Sequence, residues 1–435
     1  MTWPRSAWIA LLAVAAAQTA LPALGQLSID APPSQRTLPA AEQVEQEIAT
    51  ARFRLGPLRV APFLTLQNVG WTNNALVQSE GTVDDYTASV SAGARLVVPI
   101  GRKLFLRGTL APTYDWYHRT TELRSFGGDY SGEALGLFNR LTVAGGGRYY
   151  RRIRSASSEV GRDVLNTTSR GFANAELELL KRLSLFGGIE QATSRLEDKA
   201  LDTPGLSPVS DLDRTETAQR AGVRYAFSSA LSFGVMGEEV RTRFERNGLV
   251  RDNDVQGLLF VVRYDRERFY VEGTAGIRKG TPVSPSDLYP EFRAGSYGYF
   301  VSYFVTRTLE MQVLGSRRPE AALFLDNPYF FETRNALTLR LAVGRRLSLH
   351  ILGELGANRY VNPVQVVDTG EIVVRRDEAT SFGGGFDFRV SRALSVGLTA
   401  MKDRWQSNVD FYDRETFRVM GGLSIAADFS REERR

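Results

Sequence analysis

The chain has 435 residues, a formal net charge of +5 and a pI near 9.4, with 54 Lys and Arg spread along it rather than gathered into a block, so it carries no nucleic-acid footprint. It has no Cys and only two His, which excludes a disulfide scaffold and makes a transition-metal site an unfavourable reading. No apolar stretch beyond the N-terminus is long enough for a spanning helix, so a helical membrane protein is excluded.

Residues 1–25 read as a secretory signal: Arg5 supplies the positive charge, Ala7 to Ala17 the apolar run, and Ala23 and Gly25 the small residues before Gln26. Residues 26–57 follow as a periplasmic lead-in. Within it, Ala40 to Arg54 has the pattern of one short helix with Ala41, Val44 and Ile48 on a face, placed as a lumen insert or docking peptide. It is too short for the folded plug of a TonB-dependent receptor.

From residue 58 to 429 the sequence alternates with period two. Tyr86, Ala88, Val90, Ala92, Ala94, Leu96 and Val98 fall on one face of a strand, and Thr87, Ser89, Ser91, Gly93, Arg95 and Val97 on the other. Leu337 to Val343 and Leu347 to Leu355 repeat the pattern. Eight short turns, each followed by an apolar strand start at Leu104, Leu141, Leu183, Leu231, Phe269, Leu309, Leu347 and Leu394, recur 37 to 48 residues apart. A period near 40 would also suit a propeller or solenoid. Here each unit is instead two strands, one short turn and one long polar loop.

The long loops are expected at residues 73–85, 118–128, 152–166, 195–213, 279–290, 318–327 and 361–376. Short turns at one end and long loops at the other are the asymmetry of an outer-membrane barrel. The count gives an all-β, antiparallel, up-and-down transmembrane barrel of 18 strands, with 16 as the alternative, since residues 131–138, 255–264 and 292–305 carry apolar residues on both faces.

Two further patterns support a membrane barrel over a soluble sandwich. The face opposite the apolar one holds mid-strand charges, which would cost about 2–4 kcal/mol each in lipid, so they are expected to point to a wet lumen. The pore-lining candidates are Arg95, Arg107, Arg148, Glu176, Glu178, Glu190, Arg224, Glu272, Glu310, Arg340, Glu354 and Asp387. Aromatic residues gather near strand ends on the apolar face, as two interfacial girdles would: Tyr86, Tyr114, Trp116 and Tyr149 at the long-loop end, and Tyr225, Phe227, Phe269, Phe388 and Phe429 at the short-turn end. The last strand alternates from Phe417 to Phe429, similar to the assembly signal of outer-membrane barrels, with a charged tail at 430–435.

The lead Arg54-Leu55-Gly56-Pro57-Leu58-Arg59, then Pro62, then Val69-Gly70-Trp71-Thr72-Asn73-Asn74, resembles the opening of the β-barrel porin 2 group. Trp71 replaces the group's usual Tyr, and Thr72-Asn73 its acidic pair. The resemblance implies an outer-membrane barrel and, since some members accompany exopolysaccharide assembly systems, a route for polysaccharide with periplasmic export components as partners. Outer-membrane lipid, lipopolysaccharide and the barrel-assembly machinery are the other expected partners.

The chemistry of catalysis is sparse. His118 lies three residues from Asp115 at the loop end of a strand, an arrangement with a protease precedent but better read as a surface His beside Trp116. His350 is expected to face the lumen with Glu354 two inward positions along, and no partner Ser can be placed for a lipase. Gly145-Gly146-Gly147 and Gly383-Gly384-Gly385 fall mid-strand and read as close wall packing rather than phosphate loops. Asp84-Asp85 reads as solvated loop charge in preference to a Ca²⁺ site. No cofactor is expected. A channel for hydrophilic solute or polymer leads, followed by a non-conducting surface protein and then an outer-membrane hydrolase.

Overall fold

The computed structural model describes residues 39–426 except 79–80, 156, 160–162, 200–207, 286–287, 325, 366–369 and 410–411. The signal-peptide reading, the tail and the girdle position Phe429 lie outside the described residues. Helix α1 (Ala40–Thr50) leads into a short strand β1 (Phe53–Leu55). Eighteen long strands follow: β2 (Leu58–Thr72), β3 (Asp85–Ile100), β4 (Leu104–Tyr117), β5 (Ser125–Leu137), β6 (Leu141–Ser155), β7 (Asp163–Leu180), β8 (Leu183–Glu197), β9 (Arg214–Ala226), β10 (Leu231–Phe244), β11 (Asn253–Asp265), β12 (Phe269–Pro282), β13 (Phe292–Phe304), β14 (Leu309–Ala321), β15 (Tyr329–Val343), β16 (Leu347–Gln365), β17 (Ile372–Arg389), β18 (Leu394–Ser407) and β19 (Arg414–Ala426). A one-turn helix, α2 (Gly248–Arg251), sits between β10 and β11.

Each long strand pairs antiparallel with its sequence neighbours, and β19 pairs with β2, so the sheet closes as an 18-stranded up-and-down barrel. Closure leaves no edge of unpaired N–H and C=O groups, which is the condition for crossing a bilayer with strands. The seam is irregular. Register shifts occur in β2 against both β3 and β19, Asn68 adopts a left-handed φ of 53°, and a Cβ on Gly70 would lie 1.9 Å from the Val419 carbonyl oxygen. Only glycine lets the last strand come that close.

The alternation sorts the two faces. Val90, Leu106, Ile189, Val235, Phe260, Ile277, Ile351 and Leu398 are all exposed on the outside, an uninterrupted apolar belt of the kind that faces lipid rather than water. Aromatic side chains meet across neighbouring strands on this face: Tyr225 with Phe233 at 5.6 Å, Tyr264 with Phe269 at 5.7 Å, Phe269 with Tyr303 at 5.8 Å and Tyr130 with Tyr149 at 6.2 Å.

Several expected loops are shorter than polarity suggested. Strand β16 runs to Gln365 and β17 starts at Ile372, inside the expected 361–376 loop, while β6, β8, β12 and β14 likewise extend past their expected ends. Above the membrane both faces of a strand meet water, so polar composition no longer marks where pairing stops. The helix stops at Thr50 instead of reaching Arg54, because Phe53 to Leu55 pair with Leu58 to Val60 in a tight hairpin at Gly56, whose φ is 61°. Of its expected face, Val44 is 1% exposed, whereas Ala41 is exposed and Ile48 half-buried.

Candidate solute conduit

The interior divides into an open wall and a packed wall. The open wall is formed by β3 to β9. Arg95, Arg107, Arg148, Glu176, Glu178, Glu190 and Arg224 all fall on its inner face by register. Most form cross-strand ion pairs: Arg107 with Glu133 at 2.8 Å, Arg148 with Asp129 at 2.8 Å, Arg224 with Glu176 at 2.9 Å, and Arg170 with Glu190. Arg148 keeps 51% of its side chain exposed and Glu176 38%, so water reaches them. Arg95 is exposed and lies over the Phe63 ring at 5.7 Å. Paired charges on facing strands neutralise each other at short range and leave a polar surface with a weak net field.

The packed wall is formed by β10 to β18. Glu310 is buried, accepting from Ser302 and Gln312 at 2.8 Å each, and Arg340 is its cross-strand neighbour. Glu272 accepts from the Tyr270 hydroxyl. His350 faces inward as expected, 3.6 Å from Asp387 and 3.2 Å from the Thr399 hydroxyl, and Glu354, two inward positions along, meets Arg334 at 3.4 Å. The two-sided apolar segment at residues 292–305 is explained here: Phe300 packs on the inner face against Tyr270 and Leu314.

The packed wall is thickened by a hairpin tip. Pairing of β13 with β14 ends at Tyr297–Arg317, yet β14 and β15 stay paired up to Ala321–Tyr329. Freed from β13, this tip turns inward. Tyr329 and Phe331 continue the lipid-facing side of β15, yet they pack on the inward-facing Phe292, with ring centroids at 5.0 and 5.4 Å. The Ser296 hydroxyl donates to the Arg317 carbonyl at 2.7 Å. At the far end Ala321 and Leu323 pack against Val164 and Leu196 of β7 and β8, together with Val209 and Leu212 from the β8–β9 connection. The tip therefore crosses the lumen. A cavity of about 650 Å³, counting open solvent, remains beside it, bounded by Arg214, Glu216, Arg278, Glu320, Tyr289 and Tyr329 among others.

Three connections hold the tip in place. Arg251 of α2, fully buried, donates to the carbonyls of Asp211 (3.2 Å) and Leu323. From the β6–β7 connection, Glu159 accepts the Leu323 N–H at 2.5 Å and meets Arg375 of β17 at 3.3 Å. Ser158 and Asn358 of β16 exchange hydrogen bonds at 3.0 and 3.3 Å, and Arg414 donates to the carbonyls of Ser158 and Glu159 at 2.7 and 3.1 Å. Arg375 is itself fixed by Asp377 at 2.8 Å and lies between the rings of Tyr412 and Tyr360. Burial pushes the Glu159 carboxyl up despite Arg375, and burial pushes Asp213, beside this junction, up to about 6.

At the periplasmic end α1 lies against the open wall. Arg107 donates to Gln43 at 3.2 Å and meets Glu47 at 3.4 Å, while Val44 is sealed beneath. Burial raises the Glu47 carboxyl, with Arg107 and Arg95 opposing.

The girdle candidates Tyr86, Tyr114, Trp116, Tyr149, Tyr225, Phe227, Phe269 and Phe388 sit outside, most of them well exposed. His118 stacks beside Trp116 at 5.8 Å on the outer face, while Asp115 faces inward to Ser89 (2.6 Å) and Arg152 (3.4 Å). The pair considered from sequence thus points to opposite faces. The Asp85 carboxylate accepts N–H groups of Tyr86, His118, Arg119 and Thr120 and the Thr120 hydroxyl, so it closes a turn. Among the described residues no group of acids or His is arranged to hold a metal ion.

No family model matches the chain, and no curated protein does, so the β-barrel porin 2 resemblance rests on residues 54–74 alone. Solved structures do match in shape. The outer membrane protein opdK of Pseudomonas aeruginosa is 10% identical, with a TM-score of 0.50 covering 84% of this chain and 98% of that one. The fold is that of an outer-membrane porin. A BenF-like porin of Pseudomonas fluorescens Pf-5 (11% identical, TM-score 0.48, 84% and 98% covered) and OccAB3 of Acinetobacter baumannii (8%, 0.47, 84% and 99%) are also similar to this chain. A porin fold at such low identity fixes the wall and leaves the loops and lumen to be read from this chain's own residues.

Glu159, Arg251, Leu323 and Arg375, which build the constriction, were not singled out from sequence. The one available signal was apolar: Ala321 to Phe324 and Val209 with Leu212 interrupt connections that otherwise read as solvated loop.

Proposed function

We propose that the chain is an outer-membrane channel for small hydrophilic solutes. The observation that carries this is the exposed, ion-paired wall of β3 to β9, which runs beside a lumen narrowed by the β14–β15 tip and the Glu159 connection. Closely spaced charges of both signs let polar cargo exchange hydrogen bonds along the wall without binding tightly at any one point. The porin fold supports the reading at the level of architecture. Export of exopolysaccharide, with a periplasmic export partner, gains no support: a polymer would have to displace the tip that reaches Val164 and Leu196. The Asp115–His118 pair lends an enzyme reading no support, since the two side chains face apart. Refolded protein in planar bilayers should give discrete ionic steps, and in liposomes should admit small sugars but not oligosaccharides. Absence of steps from both wild type and a variant lacking the 318–328 tip would reject the channel.

A further inference from the structure

The outer rim of the barrel is not electrostatically uniform. On the β8 to β13 side, four of the outward cations above the apolar belt have acid partners: Arg195 with Glu245 (2.9 Å), Arg241 with Glu239 (2.9 Å), Arg243 with Asp254 (2.7 Å) and Lys279 with Glu291 (3.5 Å); Arg293, opposite Lys279, is a lone exception there among the described residues. On the β16 to β18 side the outward face carries Arg359, Arg376 and Arg404, all exposed, and none has an ion-pair partner among the described residues. The outward acids beside them are Glu378, one outward position from Arg376, and Glu415, which stands opposite Arg404 in register but is held by Lys402 at 2.8 Å.

The register makes the contrast sharper. Arg359 and Arg376 are direct cross-strand partners, immediately beside the point where the β16–β17 register shifts. Like charges placed directly opposite destabilise a ladder, and water alone compensates them poorly at a lipid boundary. Height fixes what they meet. A strand rising about 3.3 Å per residue at a tilt near 40° climbs about 2.5 Å per residue. Arg404 is ten residues above Leu394, Arg359 twelve above Leu347 and Arg376 thirteen above Arg389. They therefore stand about 25, 30 and 33 Å above the periplasmic turns, at the top of an apolar belt about 25 Å tall. Directly beneath, Leu355 and Phe382 are 64% and 65% exposed, two of the barest apolar side chains on the wall. Apolar contact below and unpaired arginines above is the profile of a phosphorylated lipid: acyl chains against Leu355 and Phe382, phosphate oxygens against the guanidinium forks.

We infer that the β16–β18 rim, through Arg359, Arg376 and Arg404, is a binding site for the phosphate groups of an outer-leaflet phosphoglycolipid, lipopolysaccharide. The proposal does not depend on the channel reading, because it concerns the outer surface and not the lumen.

The test uses detergent-purified full-length protein, with native mass spectrometry and thermal unfolding against three probes: bisphosphorylated lipid A, its dephosphorylated form and phosphatidylglycerol. Wild type should retain lipid A, with affinity at least 10-fold above both other probes. The double variant Arg359→Gln/Arg376→Gln should lose that preference. Without lipid, the same variant should unfold at a higher temperature than wild type, since it removes a like-charge pair. The control Arg195→Gln/Arg241→Gln should bind lipid A as wild type does. Equal lipid A retention by the rim variant, equal loss in the control, or equal binding of phosphatidylglycerol would each overturn the assignment.

Discussion

Replacing Glu159 with Ala should open the constriction without touching the wall. The Glu159 carboxylate takes the Leu323 N–H at 2.5 Å and holds Arg375 at 3.3 Å, with both charged side chains 2% exposed. Ala leaves the Leu323 N–H buried without an acceptor, which costs about 1–3 kcal/mol. At 1.36 kcal/mol per decade that shifts the docked-to-undocked ratio of the tip about 5-fold to 150-fold toward undocked. Arg375 stays anchored by Asp377, so the barrel itself is spared. Glu159→Gln keeps an acceptor for Leu323. Because burial already disfavours the charged form at this site, the neutral side chain should stay docked. Single-channel recording should then show larger or more frequent open levels for Glu159→Ala and wild-type behaviour for Glu159→Gln. Identical traces for Ala and wild type would refute the role of this strut, and equal disruption by Gln would show that charge, not the accepted N–H, holds the tip.

Acidification should close the channel. Asp213 is raised from 3.8 to about 6, so its contribution to the docked arrangement is full below its ordinary value and lost as pH rises through about 6. Glu159 shifts in the same direction, conductance should therefore fall between pH 7 and 4, and Asp213→Asn should flatten that fall. At the periplasmic mouth, Val44→Asp buries an unpaired charge under α1; it should release the helix to added protease and raise conductance, whereas exposed Glu42→Gln should change neither. At the seam, Gly70→Ala places a Cβ 1.9 Å from the Val419 carbonyl and should reduce the folded, heat-modifiable species on gels, while Gly132→Ala, with nothing within 4 Å, should assemble normally.

The wall was legible because lipid imposes one rule on every strand. Leu337 to Val343 and Phe417 to Ile425 must alternate, and each short turn must reset the register, so strand number and facing follow from periodicity. The lumen obeys no such rule. Glu310 and Arg148 carry equally inward positions, yet one is buried among Ser302 and Gln312 and the other half exposed, because neighbouring side chains and not strand periodicity set how closely the interior packs. The β14–β15 tip turns in at the point where β13 stops pairing with β14, and no pattern in residues 292–321 marks the break. The Glu159–Arg375 contact joins residues 216 apart, which local sequence does not encode. Arg359 facing Arg376 was hidden for a simpler reason: both fell within or beside a segment that reads as loop, where register has no meaning.

The chain's lack of cysteine permits a direct test of the claim that it is a conducting barrel whose lumen is spanned by its own connection. Ser158 and Asn358 touch across the lumen at 3.0 Å from opposite walls, so Ser158→Cys/Asn358→Cys should form a disulfide on mild oxidation. Current through that variant in a planar bilayer should be present when oxidised and larger after reduction. Failure to cross-link in the folded protein, or no current in either state, would contradict the account.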